Sequence, residues 1–172
     1  IRRPPRSTRK ESSAASDVYK RQAGKRTSAK TINVDLANSA TKKNETLMDT
    51  MHTLKAMQID MFVIRHKQNG LPHHVAENMK GVSIINAGDG INAHPTQALL
   101  DVLTIRQHKK MFDNLSVAIV GDIRHCRVAR SGIQAMKTLG TTDIRLIAPE
   151  TLHYKEETPG LERFDNLDQG IE

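Results

Sequence analysis

The chain has 172 residues, 37% of them apolar and 26% charged, and carries a formal net charge of +7. That length is enough for one domain or slightly more with a real core, and the single cysteine, Cys126, excludes an intrachain disulfide framework and fits a reducing compartment. No apolar run nears the roughly 20 residues of a bilayer span, no secretory h-region stands near the start, and Trp is absent, so membrane insertion, secretion and aromatic stacking on single-stranded nucleic acid are not expected.

Residues 1–22 are rich in Arg, Ser and Pro with almost no apolar periodicity, which predicts disorder. They also resemble a translated sequencing adapter joined to a reading frame, so an artefactual leader is expected there. Residues 1–30 hold ten Lys/Arg against two Asp/Glu, which leaves the remainder slightly acidic. The basicity thus belongs to an arm that could touch phosphate backbones, and nucleic-acid binding by the folded body is not expected.

From Thr31 the pattern becomes regular. Thr31–Leu36 reads as a strand, and Glu45–Met57 as a helix with Leu47, Met51 and Leu54 on one face. Asp60–Arg65 reads as a strand, Pro72–Met79 as a short helix and Val82–Asn86 as a strand. After Asn86 the chain runs through Gly88 and Gly90 to His94 and Pro95. Proline is favoured at a first helical position, so a helix is expected from Pro95 to Lys109. Ser116–Gly121 is continuously apolar, as a strand buried on both faces should be. Arg127–Leu139 reads as a helix with Gly140 as its C-cap, and Ile144–Ala148 as a strand; past Pro149 the pattern fades.

Strands alternating with helices indicate an α/β fold, a parallel sheet with helices on both faces. Turn chemistry at Asp113-Asn114 marks the start of a second α/β domain near 115. Four clusters fall at strand-to-helix junctions: 39–43, 65–66, 94–97 and 121–127. In one parallel sheet these share the carboxyl edge, where ligands bind. That edge would gather Lys43, Arg65, His94 and Arg127, a basic lining suited to phosphate or carboxylate groups. Each cluster alone also reads as a solvated turn, and His94 as the cap of its own helix. Cys126 has no base beside it and is read as a neighbour of Arg127, not a nucleophile. The eight histidines show no metal-ligand spacing.

Asn44-Glu45-Thr46-Leu47 with Asp49-Thr50, Arg65-His66, NAGDG…HPTQALLD (Asn86 to Asp101) and GDIRHCRVARS (Gly121 to Ser131) occur in that order. In this the chain resembles the aspartate/ornithine carbamoyltransferase family over about residues 23 to 172, and within it the catalytic chains that use aspartate. An ornithine-using enzyme is the alternative, disfavoured by Arg65-His66 together with HCRVARS. The resemblance implies a partial carbamoyl-phosphate-binding domain at 23–110 and the start of an aspartate-binding domain at 115–172. It implies carbamoyl transfer from carbamoyl phosphate to L-aspartate in pyrimidine biosynthesis, with no metal and no organic cofactor, in the cytoplasm.

By the same resemblance, His94 and Arg65 donate hydrogen bonds to the carbamoyl oxygen, and Arg65 also reaches the phosphate. Gln97 fixes the carbamoyl amide and Arg127 grips an aspartate carboxylate. Ser39 and Lys43 (or Lys42) reach into a neighbouring subunit's site, so the unit is a homotrimer with shared active sites, with room for regulatory or dihydroorotase-like partner chains. The family's S-T-R-T-R phosphate loop has no counterpart at its expected place before Ala23; Ser7-Thr8-Arg9 imitates it about seven residues too early. Asn44 stands where the family has glycine, and the later arginine–glutamine loop is missing. The expectation is a fragment with little or no activity alone; a non-catalytic fragment or a basic-arm binding module remain the competing classes.

Overall fold

The computed structural model describes residues 9–34, 46–154 and 159–172. Two compact units are present, Ile1–Thr50 and Met51–Glu172. In the first, α1 spans Arg9–Arg26. Composition had predicted disorder there, but Ala, Lys, Arg, Glu and Gln are good helix formers, and nothing between Arg9 and Arg26 breaks the helix before Gly24. Residues 31–34 form no strand, contrary to the strand expected over Thr31–Leu36, whose last two residues lie outside the described residues. Ser39, Lys42, Lys43 and Asn44 lie outside them as well.

Helix α2, Leu47–Ala56, starts from a capping box: the Thr46 amide donates to Asp49 Oδ2 at 3.1 Å and the Asp49 amide donates to Thr46 Oγ1 at 3.2 Å. Strand β1 (Met61–His66), helix α3 (Leu71–Asn78), strand β2 (Ser83–Asp89) and helix α4 (Pro95–Lys109) follow. Then come β3 (Ser116–Val120), α5 (Arg127–Thr138), β4 (Asp143–Ile147), a single 3-10 turn at Glu150–Leu152, β5 (Glu162–Phe164) and α6 (Leu167–Ile171). Eight predicted elements from Glu45 to Ala148 thus appear within a few residues of their expected bounds; β5 and α6 had no counterpart in the pattern.

The strands are parallel, as expected, but they form two sheets. β1 pairs with β2, and β3–β4–β5 form a second sheet with β4 central. β4 therefore holds the least exposed strand residues, Ile144 and Leu146, at 1% and 0% exposure. β3 lies at the sheet edge and alternates exposed with half-buried residues, so its continuous apolar run is not covered on both faces as predicted. The core gathers Val102 of α4, Phe112, Ile123, Ile133 and Met136 of α5, and Ile144, Leu146 and Ala148. α4 packs against α5, and so joins the two sheets across the 110–115 connection.

Candidate anion site at the β1–β2 loop ends

Sequence proximity starts the site and a strand irregularity completes it. β1 and β2 run in register to Ile64–Asn86, then the register shifts so that Arg65 stands opposite Gly88 and His66 opposite Asp89. The extra residue, Ala87, is a bulge, a device that re-aims side chains at a strand end. Gly88 takes φ +143°, a conformation that L side chains rarely adopt. A Cβ there would stand 3.2 Å from Arg127 Nη1, 3.3 Å from Arg127 Cζ and 3.3 Å from Arg65 Cγ. The absent side chain is therefore what lets two arginines, 62 residues apart in sequence, close over the same backbone.

Arg127 is the first residue of α5, and its Nη1 donates to the Gly90 carbonyl at 2.9 Å. Its guanidinium is held below its usual range, by burial first and by the Arg65 charge second; Asp89 and the Cys126 thiol act in the opposite direction. Two cations forced together beside a helix N-terminus make a place where an added anion is stabilised.

Asp89 is 3% exposed and organises the loop. Its Oδ1 accepts from the Gly70 amide at 2.6 Å, just ahead of α3, and its Oδ2 from Asn92 Nδ2 at 2.8 Å. Its own amide donates to the Ala93 carbonyl at 2.9 Å, and the Gly90 amide donates to the His66 carbonyl at 2.9 Å. The Ile91 amide donates to Asn69 Oδ1 at 3.0 Å.

His94 caps α4. Its Nδ1 accepts from the Gln97 amide at 3.3 Å and lies 3.3 Å from Thr96 Oγ1. A nitrogen that accepts an N–H carries no proton, so the ring proton belongs on Nε2. The His94 amide donates to Ser131 Oγ at 2.8 Å, a buried bond between α4 and α5. Ser131 lies one helical turn beyond Arg127, on the same face of α5. The two residues therefore hold the 88–94 loop at both ends.

The remaining candidates fall around this centre. Gln97 Nε2 donates to Asp101 Oδ1 at 3.0 Å along α4. Cys126 Sγ caps α5, accepting from the Ala129 amide at 3.4 Å. His66 Nδ1 accepts from the Gln68 amide, and His125 pairs with Asp122; both stabilise turns. Arg65 and Arg127 thus meet at Gly88 and Gly90, at the start of the 88–97 segment, while His94 and Gln97 stand at its other end, where α4 begins. The junctions that carry them belong to two sheets, not to one common sheet edge as expected. Ser39 and Lys43 cannot be placed, since they lie outside the described residues. Asp89 and Ser131 were not singled out from the sequence; the only signal for them was their place inside the NAGDG and RVARS stretches.

Residues 5–107 match the model of the aspartate/ornithine carbamoyltransferase carbamoyl-P binding domain. The aspartate carbamoyltransferase catalytic subunit of Vesicomyosocius okutanii subsp. Calyptogena okutanii is 74% identical over 150 residues, and that of Ruthia magnifica subsp. Calyptogena magnifica 71% identical over the same length. The chain spans 47% of the length of each of these curated relatives, and 87% of its own length is aligned. Among solved structures, aspartate transcarbamoylase from Trypanosoma cruzi in complex with carbamoyl phosphate superposes with a TM-score of 0.74 at 28% identity, over 85% of this chain and 49% of that one. The same enzyme in complex with N-(phosphonacetyl)-L-aspartic acid gives 0.72 at 28% identity, over 92% and 52%. The chain belongs to the aspartate/ornithine carbamoyltransferase family.

Proposed function

We propose that this chain carries the carbamoyl-phosphate side of an aspartate carbamoyltransferase site. The observation that supports it best is the pair Arg65 and Arg127 closing over Gly88, beside a helix capped by His94. Carbamoyl phosphate is a dianion with a planar, amide-like carbonyl. Arg65 forks onto its phosphate, and the Nε2 proton of His94 points to the carbamoyl oxygen as charge collects there. Gln97 holds the carbamoyl amide, and releases its bond to Asp101 to do so.

The amine nitrogen of L-aspartate attacks the carbamoyl carbon. A C–N bond forms, the C–O bond to phosphate breaks, phosphate leaves with the electron pair, and the amine passes its proton to the leaving phosphate oxygen. Arg127 exchanges its bond to the Gly90 carbonyl for a carboxylate of aspartate. The products are N-carbamoyl-L-aspartate and phosphate, as the first committed step of pyrimidine synthesis requires. The residues described need no metal or organic cofactor for this. Ser39 and Lys43 act in a neighbouring subunit's site of a cytoplasmic homotrimer. No helix among the described residues is long and apolar enough to cross a membrane.

Calorimetric titration of this chain with carbamoyl phosphate tests the reading. Binding is expected, weakened about ten- to a hundredfold by Arg65→Ala, the range for losing a charge-assisted pairing. In a catalytic subunit of full relative length, His94→Ala is expected to lower carbamoyl-aspartate formation about a hundred- to a thousandfold. Equal affinity in the wild type and Arg65→Ala, or an undiminished rate after His94→Ala, would remove those residues from their roles. Carbamoylation of ornithine instead of aspartate would move the enzyme to the other branch of the family.

A further inference from the structure

We propose that Ser131 is a positioning residue that fixes which ring nitrogen of His94 carries the proton. The inference rests on the reading of His94 as a donor to the carbamoyl oxygen, but its test does not.

At the start of α4, His94 is the N-cap, Pro95 is N1, Thr96 is N2 and Gln97 is N3. In a capping box the N3 Glu or Gln side chain turns back to accept the N-cap amide. Gln97 is the right residue type in the right place, yet its side chain turns forward to Asp101, at 3.0 Å. The acceptor for the His94 amide comes instead from another helix, as Ser131 Oγ at 2.8 Å. His94 and Ser131 are 6% and 8% exposed, so no solvent acceptor replaces this bond. The bond fixes the His94 backbone at φ −142° and ψ 69°, from which Nδ1 reaches the Gln97 amide. An accepting Nδ1 leaves the proton on Nε2. Ser131 therefore acts on the ring through the backbone and touches no substrate.

This division of labour frees Gln97. A Gln97 engaged in capping its own helix could not turn to a ligand; with Ser131 supplying the cap, Gln97 is exchangeable. Ser131 also shares its helix face with Arg127, one turn away.

The test is nitrogen NMR of the His94 ring together with hydrogen exchange of its amide, with no ligand added. The wild type is expected to show a protonated Nε2, an unprotonated Nδ1 and a protected His94 amide. Ser131→Ala is expected to give averaged ring shifts and amide exchange faster by about tenfold or more, the loss of one hydrogen bond. Ser131→Thr, which keeps the hydroxyl, is expected to restore both. A Ser131→Ala protein that folds and retains the wild-type ring signature and protection overturns the proposal. If Ser131→Ala does not fold, the wild type decides alone: an unprotected His94 amide or a protonated Nδ1 overturns it, and a protected amide with a protonated Nε2 supports it. Carbamoyl phosphate titration of the wild type separates the two levels. Failure to bind sinks the functional reading and leaves the ring result standing; binding with a ring indifferent to Ser131 does the reverse.

Discussion

Asp89 is a buried carboxylate with little to do but accept. One oxygen takes the Gly70 amide and the other the Asn92 side-chain amide. Asp89→Asn keeps the shape but turns one of those acceptors into a donor, facing another donor. An unsatisfied buried donor costs about 1–3 kcal/mol, and urea unfolding of the variant is expected to show a loss of that size. An unchanged midpoint would mean that water or a neighbour satisfies the loop without the carboxylate. At this scale the residues the sequence singles out are those whose side chains carry reactive or charged groups at a strand or helix end: Arg65, His94, Gln97 and Arg127. Asp89 and Ser131 were hidden because their partners are backbone amides 19 and 37 residues away. Residue type and spacing do not encode such a partner; the fold does.

Helix α5 shows how much an element's ends can be read from its sequence. Gly140 was expected as its stop, and it takes φ +101° just after the C-cap Leu139. The Gly140 amide donates to the Lys137 carbonyl at 3.1 Å and the Thr141 amide to that of Met136 at 3.0 Å, the two bonds of a Schellman motif. Gly140→Ala forces a Cβ into a left-handed conformation, and thermal unfolding is expected to show a loss of about 1 kcal/mol. No loss would mean that the turn relaxes to another geometry. β5 and α6, by contrast, have three and five residues, fewer than a period-based signal requires. β5 exists because it pairs with β4, and α6 starts because Asn166 Oδ1 accepts the Asp168 amide at 2.8 Å. β1 itself was read correctly, but its register shift at Arg65 depends on β2, so the bulge opposite Arg65 was not readable from β1 alone.

At the scale of the unit Met51–Glu172, the question is whether the two sheets fold separately. A boundary near 110–115 follows from turn chemistry, and the family resemblance puts a domain boundary there. The buried cluster nevertheless runs through that connection: Val102 lies before it, Phe112 within it, and Ile133, Ile144 and Leu146 after it. The Thr141 hydroxyl also donates to the Phe112 carbonyl at 3.0 Å, a buried bond from the connection to the turn before β4. Side chains that share a core share an unfolding event, because neither half can lose its partners and keep its burial. Leu146→Ala removes a fully buried side chain from β4, at a cost of about 2–5 kcal/mol. Hydrogen exchange is expected to show α4 amides, on the other side of the connection, losing protection by the same factor as β4 amides. If α4 kept wild-type protection while β4 lost its own, the 110–115 connection would be a true boundary, and the site would be assembled from two separately folding parts.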